Sequence, residues 1–434
     1  MDETDKIKGE IFELLKTYHS IKNAPKPFVK NETTIPVSGK VYDHEEMQLI
    51  TESAMDGWFT TGRFNDEFEK KLASFINTKR VITVNSGSSA NLLAITALTA
   101  DELGDRKLKA GDEVITVAVS FPTTINTFIT HGIVPVFVDI TLPEYNINIE
   151  QIEAAITPKT KVIMVAHALG NPFRVEEVAA ICKKHNLWLI EDCCDALGAT
   201  YNGKHVGTYG DLATLSFYPA HHITMGEGGA VFTSNSKLVK IVESFRDWGR
   251  DCWCQPGMDN TCGKRFDWCL GDLPCGYDHK YIYSRLGYNL KITDMQAALG
   301  LAQLKKLESF VAQRRANFAL LHDGLKHLSE KILLPEATPN SNPSWFGFLI
   351  TIKDNTYQRN EIIKKLTEAK IATRLLFAGD IRKQPYFINY NYRNATETPN
   401  TETVVNNTFW IGVTPMINAE MVAYIIDTFN DIFQ

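Results

Sequence analysis

Over residues 7–15 the chain reads Ile-Lys-Gly-Glu-Ile-Phe-Glu-Leu-Leu, with apolar side chains three to four positions apart, and Asn65 to Phe75 repeats that spacing. On a helix such positions share one face. From Val81 onward the rhythm changes. Short apolar, β-branched runs at 81–84, 113–117, 134–138, 162–166, 187–190 and 212–215 alternate with helix-like stretches at 90–100, 123–130 and 175–185. Strands so uniformly apolar are buried on both faces, and the alternation predicts a mainly parallel sheet with helices on either side, an α/β fold.

A helical pattern from Thr293 to Leu325 leads away from that unit. Beyond it come a strand-like run from Ser344 to Ile352, a helix-like stretch from Gln358 to Ala369 and another near Ala419 to Phe429, which together predict a smaller α+β unit. The expected division is an N-terminal helical extension over 1–50, a large domain over 51–310 and a small C-terminal α+β domain over 311–434. Residues 250–283 fit neither pattern. They are rich in Cys, Trp, Gly and Asp without periodicity, and a long irregular insert in a compact protein is usually functional.

Forty-five Lys and Arg stand against 51 Asp and Glu, a net charge of −6, which leaves no basic excess to neutralise the phosphates of a nucleic acid. Nucleic acid is therefore not an expected partner. No run of 18 apolar residues occurs, and the first ten residues lack the basic start and apolar stretch of a secretory signal. The expected location is cytoplasmic, away from membranes. In that reducing compartment the eight cysteines are expected as buried thiols, metal ligands or reactive groups rather than disulfides.

Three segments carry candidate chemistry. Asn85-Ser-Gly87-Ser88-Ser89-Ala-Asn91 follows a strand and opens a helix, where free N–H groups and the positive dipole end suit a phosphate; alone, it also fits an ordinary helix cap. Leu187-Trp-Leu-Ile-Glu-Asp192 brings a carboxylate to the strand end where parallel sheets gather ligands. There it can keep a pyridine nitrogen protonated, or simply hydrogen-bond its own loop. Ser216-Phe-Tyr-Pro-Ala-His221-His222, with a glycine-rich turn behind it, follows the strand at 212–215. In this order the three are far more specific than any one of them.

Together with Arg285-Leu-Gly-Tyr-Asn289-Leu-Lys-Ile-Thr-Asp294, these segments resemble the sugar aminotransferases grouped as the DegT/DnrJ/EryC family, a branch of the fold-type I pyridoxal-phosphate enzymes. The likeness runs from about Thr51 to the C-terminus. It implies that Gly87, Ser88, Ser89 and Ser216 hold the cofactor phosphate, Phe121 stacks on its ring, Asp192 pairs with the ring nitrogen and Asp195 lies near the ring hydroxyl. It also implies a homodimer in which Asn289 reaches the phosphate of the neighbouring subunit. One position departs from the family: its Schiff-base lysine, five residues after the serine, is here His221. Imidazole cannot carry the cofactor aldehyde covalently but suits a general base near neutral pH. The expected cofactor is therefore the amine form, pyridoxamine 5'-phosphate (PMP), held noncovalently. His222 has a structural or phosphate-side role at most.

Cys252-Trp-Cys254 is followed, after seven intervening residues, by Cys262. Thiolates so close favour zinc or an iron–sulfur cluster, and spacing alone does not separate the two. One branch of the family, similar to CDP-4-keto-6-deoxyglucose 3-dehydrase, carries both the lysine-to-histidine change and a 2Fe–2S cluster on the pattern Cys-x57-Cys-x-Cys-x7-Cys. Cys194, Cys252, Cys254 and Cys262 meet that pattern. A zinc site on Cys252, Cys254, Cys269 and Cys275 is the alternative. Cys182, among apolar neighbours on a helix, reads as a packed thiol.

The resemblance then implies a dehydrase. His221 would remove a proton beside the cofactor nitrogen, and the 3-hydroxyl of a nucleotide-linked 4-keto-6-deoxyhexose, CDP ahead of GDP, would leave. A separate NADH-dependent flavin and iron–sulfur reductase would supply two electrons through the cluster, in the 3,6-dideoxyhexose biosynthesis that serves lipopolysaccharide O-antigen. Arg374, Phe377 and the aromatics after them could meet a diphosphate and a base, or form a plain surface strand and loop. The rivals are a conventional sugar aminotransferase, which His221 opposes, a zinc-bearing regulator and a redox sensor.

Overall fold

The computed structural model describes residues 2–254 and 256–434. Six strands arise where the apolar runs predicted them, β1 (Arg80–Val84), β2 (Glu113–Val117), β3 (Val134–Val138), β4 (Thr160–Ala166), β5 (Trp188–Asp192) and β6 (Leu212–Ser216), and a seventh, β7 (Gly229–Thr233), follows that the sequence reading did not predict. They lie in the order β1-β7-β6-β5-β4-β2-β3, and the two-residue strand Arg393–Asn394 closes the far edge of this eight-stranded sheet. From β6 to that edge every pairing is parallel, while β7 runs antiparallel to both β6 and β1. The sheet is thus mainly parallel, as expected.

The longer helices up to residue 246 are α1 (Glu3–Lys22), α2 (His44–Met55), α3 (Arg63–Ile76), α4 (Gly87–Ala97), α5 (Pro122–Thr130), α6 (Val175–Lys184) and α7 (Ser236–Arg246). They bury both sheet faces. Phe64, Phe68 and Leu72 of α3 join Ile115, Ile163 and Leu189 in one apolar cluster, whereas Leu93 of α4 and Phe128 of α5 join Val114, Val162 and Ile190 in another. Val114 and Ile115 are adjacent yet enter different clusters, as the two-residue repeat of a strand requires.

The helix predicted over 293–325 is two, α8 (Asp294–Leu304) and α9 (Leu307–Leu325). The turn between them sets Lys306 Nζ 2.8 Å from Asp43 and 2.7 Å from Glu46, at the start of α2. The small unit holds β8 (Ile332–Leu333), β9 (Gly347–Ile352), β10 (Thr373–Arg374) and β11 (Thr408–Gly412), antiparallel in the order β8-β9-β11-β10. It is interleaved with the rest of the chain: Arg393–Asn394 extends the large sheet beside β3, Ser341–Asn342 pairs with Thr200–Tyr201, and Ile35 bridges to Ile371. The segment between α1 and α2 is extended, so the N-terminal 50 residues are helical only in part.

Between α7 and α8 the chain is irregular apart from the short 3-10 turn His279–Tyr281. Here Cys269 and Cys275 are joined as a disulfide, contrary to the expectation that the cysteines form none. Gly276 N donates to Trp268 O at 3.0 Å and closes the turn, which brings the two Cα atoms to 4.4 Å. No helix among the described residues is long and apolar enough to cross a membrane.

Candidate functional site

The carboxyl ends of β4, β5 and β6, the start of α4 and the small unit's β10 and β11 enclose a pocket of about 600 Å³. Ser86 caps α4, its Oγ accepting from Ser89 N at 3.0 Å, so Gly87 and Ser88 open the helix with N–H groups that have no carbonyl behind them. A Cβ on Gly87 would lie 2.5 Å from Ser216 Cβ. Glycine is therefore what lets the helix start meet the end of β6. Ser88 Oγ donates to Thr123 Oγ1 at 3.1 Å. Gly87, Ser88 and Ser216 line the pocket, whereas Ser89 turns back on Ser86 and supports the cap. This cradle of free N–H groups and hydroxyls fits a phosphate.

Asp192 ends β5 and lines the same pocket. Asn91 Nδ2 donates to its carboxylate at 2.9 Å, Thr124 Oγ1 at 2.8 Å and Cys194 N at 3.1 Å, and Asn91 Oδ1 accepts from Thr214 Oγ1 at 2.7 Å. Helices α4 and α5 thus hold one oxygen of this acid, and the backbone of Cys194 holds the other. Phe121, just before α5, is 51% exposed and borders the pocket, free to lie over a planar ligand.

His221 reaches the pocket from the loop after β6. Its Nδ1 lies 3.2 Å from Asp195 Oδ1, a close contact that is not aligned as a hydrogen bond. Its ring centroid is 5.3 Å from that of Phe346. His222 points elsewhere, with Nε2 2.8 Å from Ser344 O. Burial, then the nearby Arg314, push its proton affinity well below that of an ordinary imidazole, so it is the neutral, structural neighbour.

The irregular segment that presents Phe346, just before β9, is held by side chains. Arg315 donates to Asn342 O at 3.2 Å and Pro343 O at 2.8 Å, His222 takes Ser344 O, and Arg314 Nη1 lies 3.3 Å from both Trp345 O and Phe346 O. Five consecutive carbonyls are captured in this way. Arg314 is fully buried, and burial pushes its guanidinium down to about 10, although Asp195 opposes the shift. Sequence reasoning missed Arg314, Asn91 and Thr124.

Cys194 lines the pocket, and burial, then Asp192, push its thiol well above the usual range. Cys254 N donates to Cys252 Sγ at 3.4 Å, and Cys262 Sγ lies 3.6 Å from His279 Nε2. Among the described residues the one group of three or more donors within 4.8 Å of one another is His167, Glu191 and Cys193. Cys194 follows β5 at the carboxyl end of the sheet, while the other three lie on the irregular segment. The His167 group is a hydrogen-bonded core. Glu191 is 3.1 Å from His167 Nε2 and accepts from the N–H groups of Gly207, Tyr209 and Gly210 at 2.6, 3.0 and 2.7 Å, and Phe173 N donates to His167 Nδ1 at 3.3 Å. The alternative zinc set loses Cys269 and Cys275 to their disulfide. Asn289 is exposed and lies outside the pocket, its backbone bridged to Asp247.

Residues 40–430 match the DegT/DnrJ/EryC1/StrS aminotransferase family. The chain is 59% identical over 428 residues to the lipopolysaccharide biosynthesis protein RfbH of Salmonella typhimurium, covering 98% of each. It is 50% identical to the dTDP-4-dehydro-2,6-dideoxy-D-glucose 3-dehydratase of Saccharopolyspora spinosa, covering 97% of this chain and 91% of that protein. Among solved structures it is similar to E. coli GDP-4-keto-6-deoxy-D-mannose-3-dehydratase with bound hydrated PLP, with a TM-score of 0.82 and 30% identity over 91% of this chain and 98% of that one. The expected fold-type I architecture is thereby established, and so is the broad class, an enzyme of the pyridoxal-phosphate-dependent sugar dehydratases and aminotransferases. Matched along nearly its whole length and carrying the phosphate cradle and Asp192 in one pocket, the chain belongs to the DegT/DnrJ/EryC1/StrS aminotransferase family.

Proposed function

We propose that this enzyme removes the 3-hydroxyl of a CDP-linked 4-keto-6-deoxyhexose with PMP, in 3,6-dideoxyhexose biosynthesis. The observation that carries the reading is His221 in the pocket, where the resemblance calls for the lysine of an aminotransferase. An aminotransferase must exchange amines through that lysine, whereas a dehydrase needs a base. The names of two relatives, RfbH and a 3-dehydratase, support the same direction.

When bound, PMP supplies an amine for the sugar carbonyl and an electron sink for the proton removed. Gly87, Ser88 and Ser216 hold its phosphate, with Ser89 bracing the cap, Phe121 covers its ring, and Asp192 faces the ring nitrogen. His221 takes the proton, and Asp195 sits against its Nδ1 and keeps the imidazole in place. Asn289, exposed and outside its own pocket, serves the partner's phosphate in a homodimer.

The 2Fe–2S cluster on Cys194, Cys252, Cys254 and Cys262 rests on the family resemblance and the cysteine spacing that matches it, the NADH-dependent reductase that would feed it on the resemblance alone, and we route no step through either. A cytoplasmic location belongs to the same reading. The test is incubation of anaerobically purified protein with PMP and CDP-4-keto-6-deoxyglucose. Loss of the 3-hydroxyl is expected, and its absence with His221→Asn. Conversion of only the GDP- or dTDP-linked sugar would reassign the nucleotide, and amine transfer to the sugar would overturn the reading. Iron and sulfide in equal amounts support the cluster; zinc without iron removes it.

A further inference from the structure

Arg374 is the one guanidinium- or ammonium-bearing side chain among the residues lining the pocket. It stands on β10, in register with Trp410 of β11, so the small unit presents it, not the large sheet that carries the phosphate cradle. The backbone beside it is pinned, since Trp410 Nε1 donates to Leu375 O at 3.0 Å. Its head is not. The one hydrogen bond found for it among the described residues runs from Nη1 to the carbonyl of the adjacent Thr373, at 2.8 Å.

A guanidinium offers five N–H donors in a fork that matches phosphate oxygens. Here one donor rests on a neighbouring carbonyl and the rest face the pocket or solvent, a state that a ligand displaces at little cost. The other charges of the lining are acidic, namely Asp192, Asp195 and Glu227. The phosphate at the start of α4 adds a further anion. A second anionic group entering this pocket would therefore be repelled along most of its wall and attracted at one point only.

We infer that Arg374 binds the diphosphate of the nucleotide sugar, forming an anion subsite on the small unit separate from the phosphate cradle on α4. The identity of the sugar ligand rests on the function proposed above, but the subsite itself requires only a diphosphate. Leu375, Phe377 and Trp410 give it an apolar flank, which limits competition from water for the charged hydrogen bonds.

The test compares wild-type enzyme with Arg374→Met and Arg374→Lys. The KM for CDP-4-keto-6-deoxyglucose is expected to rise about 10- to 100-fold in Arg374→Met, the loss of one or two charge-assisted hydrogen bonds. The lysine variant should fall between, because it keeps the charge and loses the fork. kcat at saturation and PMP affinity should be unchanged, and the latter shows that the variants fold. Direct titration with CDP should show the same weakening, whereas cytidine, which has no phosphate, should bind all three proteins alike. An unchanged CDP affinity in Arg374→Met overturns the inference, and so does a parallel loss of PMP affinity, which would place Arg374 on the cofactor phosphate. If wild-type enzyme converts no CDP sugar, the proposed reaction fails, while the CDP titration still decides the role of Arg374.

Discussion

Replacing Gly87 by alanine strikes the phosphate cradle at its tightest point. The new Cβ would lie 2.5 Å from Ser216 Cβ, 2.8 Å from its Oγ and 3.2 Å from its Cα. Ordinary contact begins near 3.4 Å, so the first turn of α4 must part from β6 by about 1 Å. There is little room behind it, because Gly229 of β7 already packs so closely that a Cβ there would sit 2.4 Å from Ser86 O and 2.7 Å from Gly87 N. A hydrogen bond of about 2.9 Å stretched by about 1 Å is no longer a hydrogen bond. Each one made to a charged phosphate contributes about 1.5–3 kcal/mol, so the loss of one predicts PMP binding weaker by about 10- to 150-fold. Fluorescence titration with PMP reads this directly, and thermal unfolding should show the modest destabilisation of about 1–3 kcal/mol typical of overpacking. Gly9→Ala is the control, since nothing lies within 4 Å of a Cβ there. A folded Gly87→Ala protein that binds PMP within about threefold of wild type, less than one such bond contributes, would refute the cradle.

Other outcomes follow from the same geometry. His221→Asn should lower dehydration by about 10²- to 10⁴-fold, the usual contribution of a general base, and leave PMP affinity intact; a near-normal rate would remove the base. Arg314→Met strands the carbonyls of Trp345 and Phe346 and should cost about 1–3 kcal/mol in urea unfolding; an unshifted midpoint would show that the clamp holds nothing. His222 is kept neutral in the fold, so the unfolded chain binds one more proton below about pH 6.5, and stability falls as pH drops through that value toward the depressed folded pKa. In His222→Gln the decline of Tm between about pH 7 and 5 should be shallower, and curves that run parallel to wild type would contradict this assignment.

The strands from Val81 to Leu215 were legible because their burial on both faces leaves long apolar runs between polar turns. The edge strand Arg393–Asn394 was not, because two residues carry no period. The break at Lys305–Lys306 was also hidden, since Leu304 and Leu307 keep the apolar spacing across it while Lys306 turns to the acidic start of α2. Arg314 is more instructive. The buried positions of α9 are Leu307, Phe310, Val311, Arg314, Asn317, Phe318, Leu321 and Leu325, and Arg314 falls on that apolar stripe at the spacing a helix demands. A charge in such a place was the available signal, but its partners, the carbonyls of Trp345 and Phe346, are unreadable from spacing because they come from a distant irregular segment.

The substitution at His221 changes what the rest of the pocket must do. A family member with a lysine there ties its cofactor covalently, and its phosphate cradle only has to orient a group already attached. With an imidazole in that place, noncovalent contacts carry the whole affinity, so each must be made without reorganising the protein. The structure meets this demand at several separate points. Gly87 admits the helix start against Ser216, three donors fix Asp192 before anything binds, and Arg314 with Arg315 and His222 locks the segment that sets Phe346 beside His221. Freed from the covalent bond, the residue after Ala220 can be a base throughout the reaction. Removal of the base and loss of the cofactor then become separable effects, which a lysine enzyme does not allow.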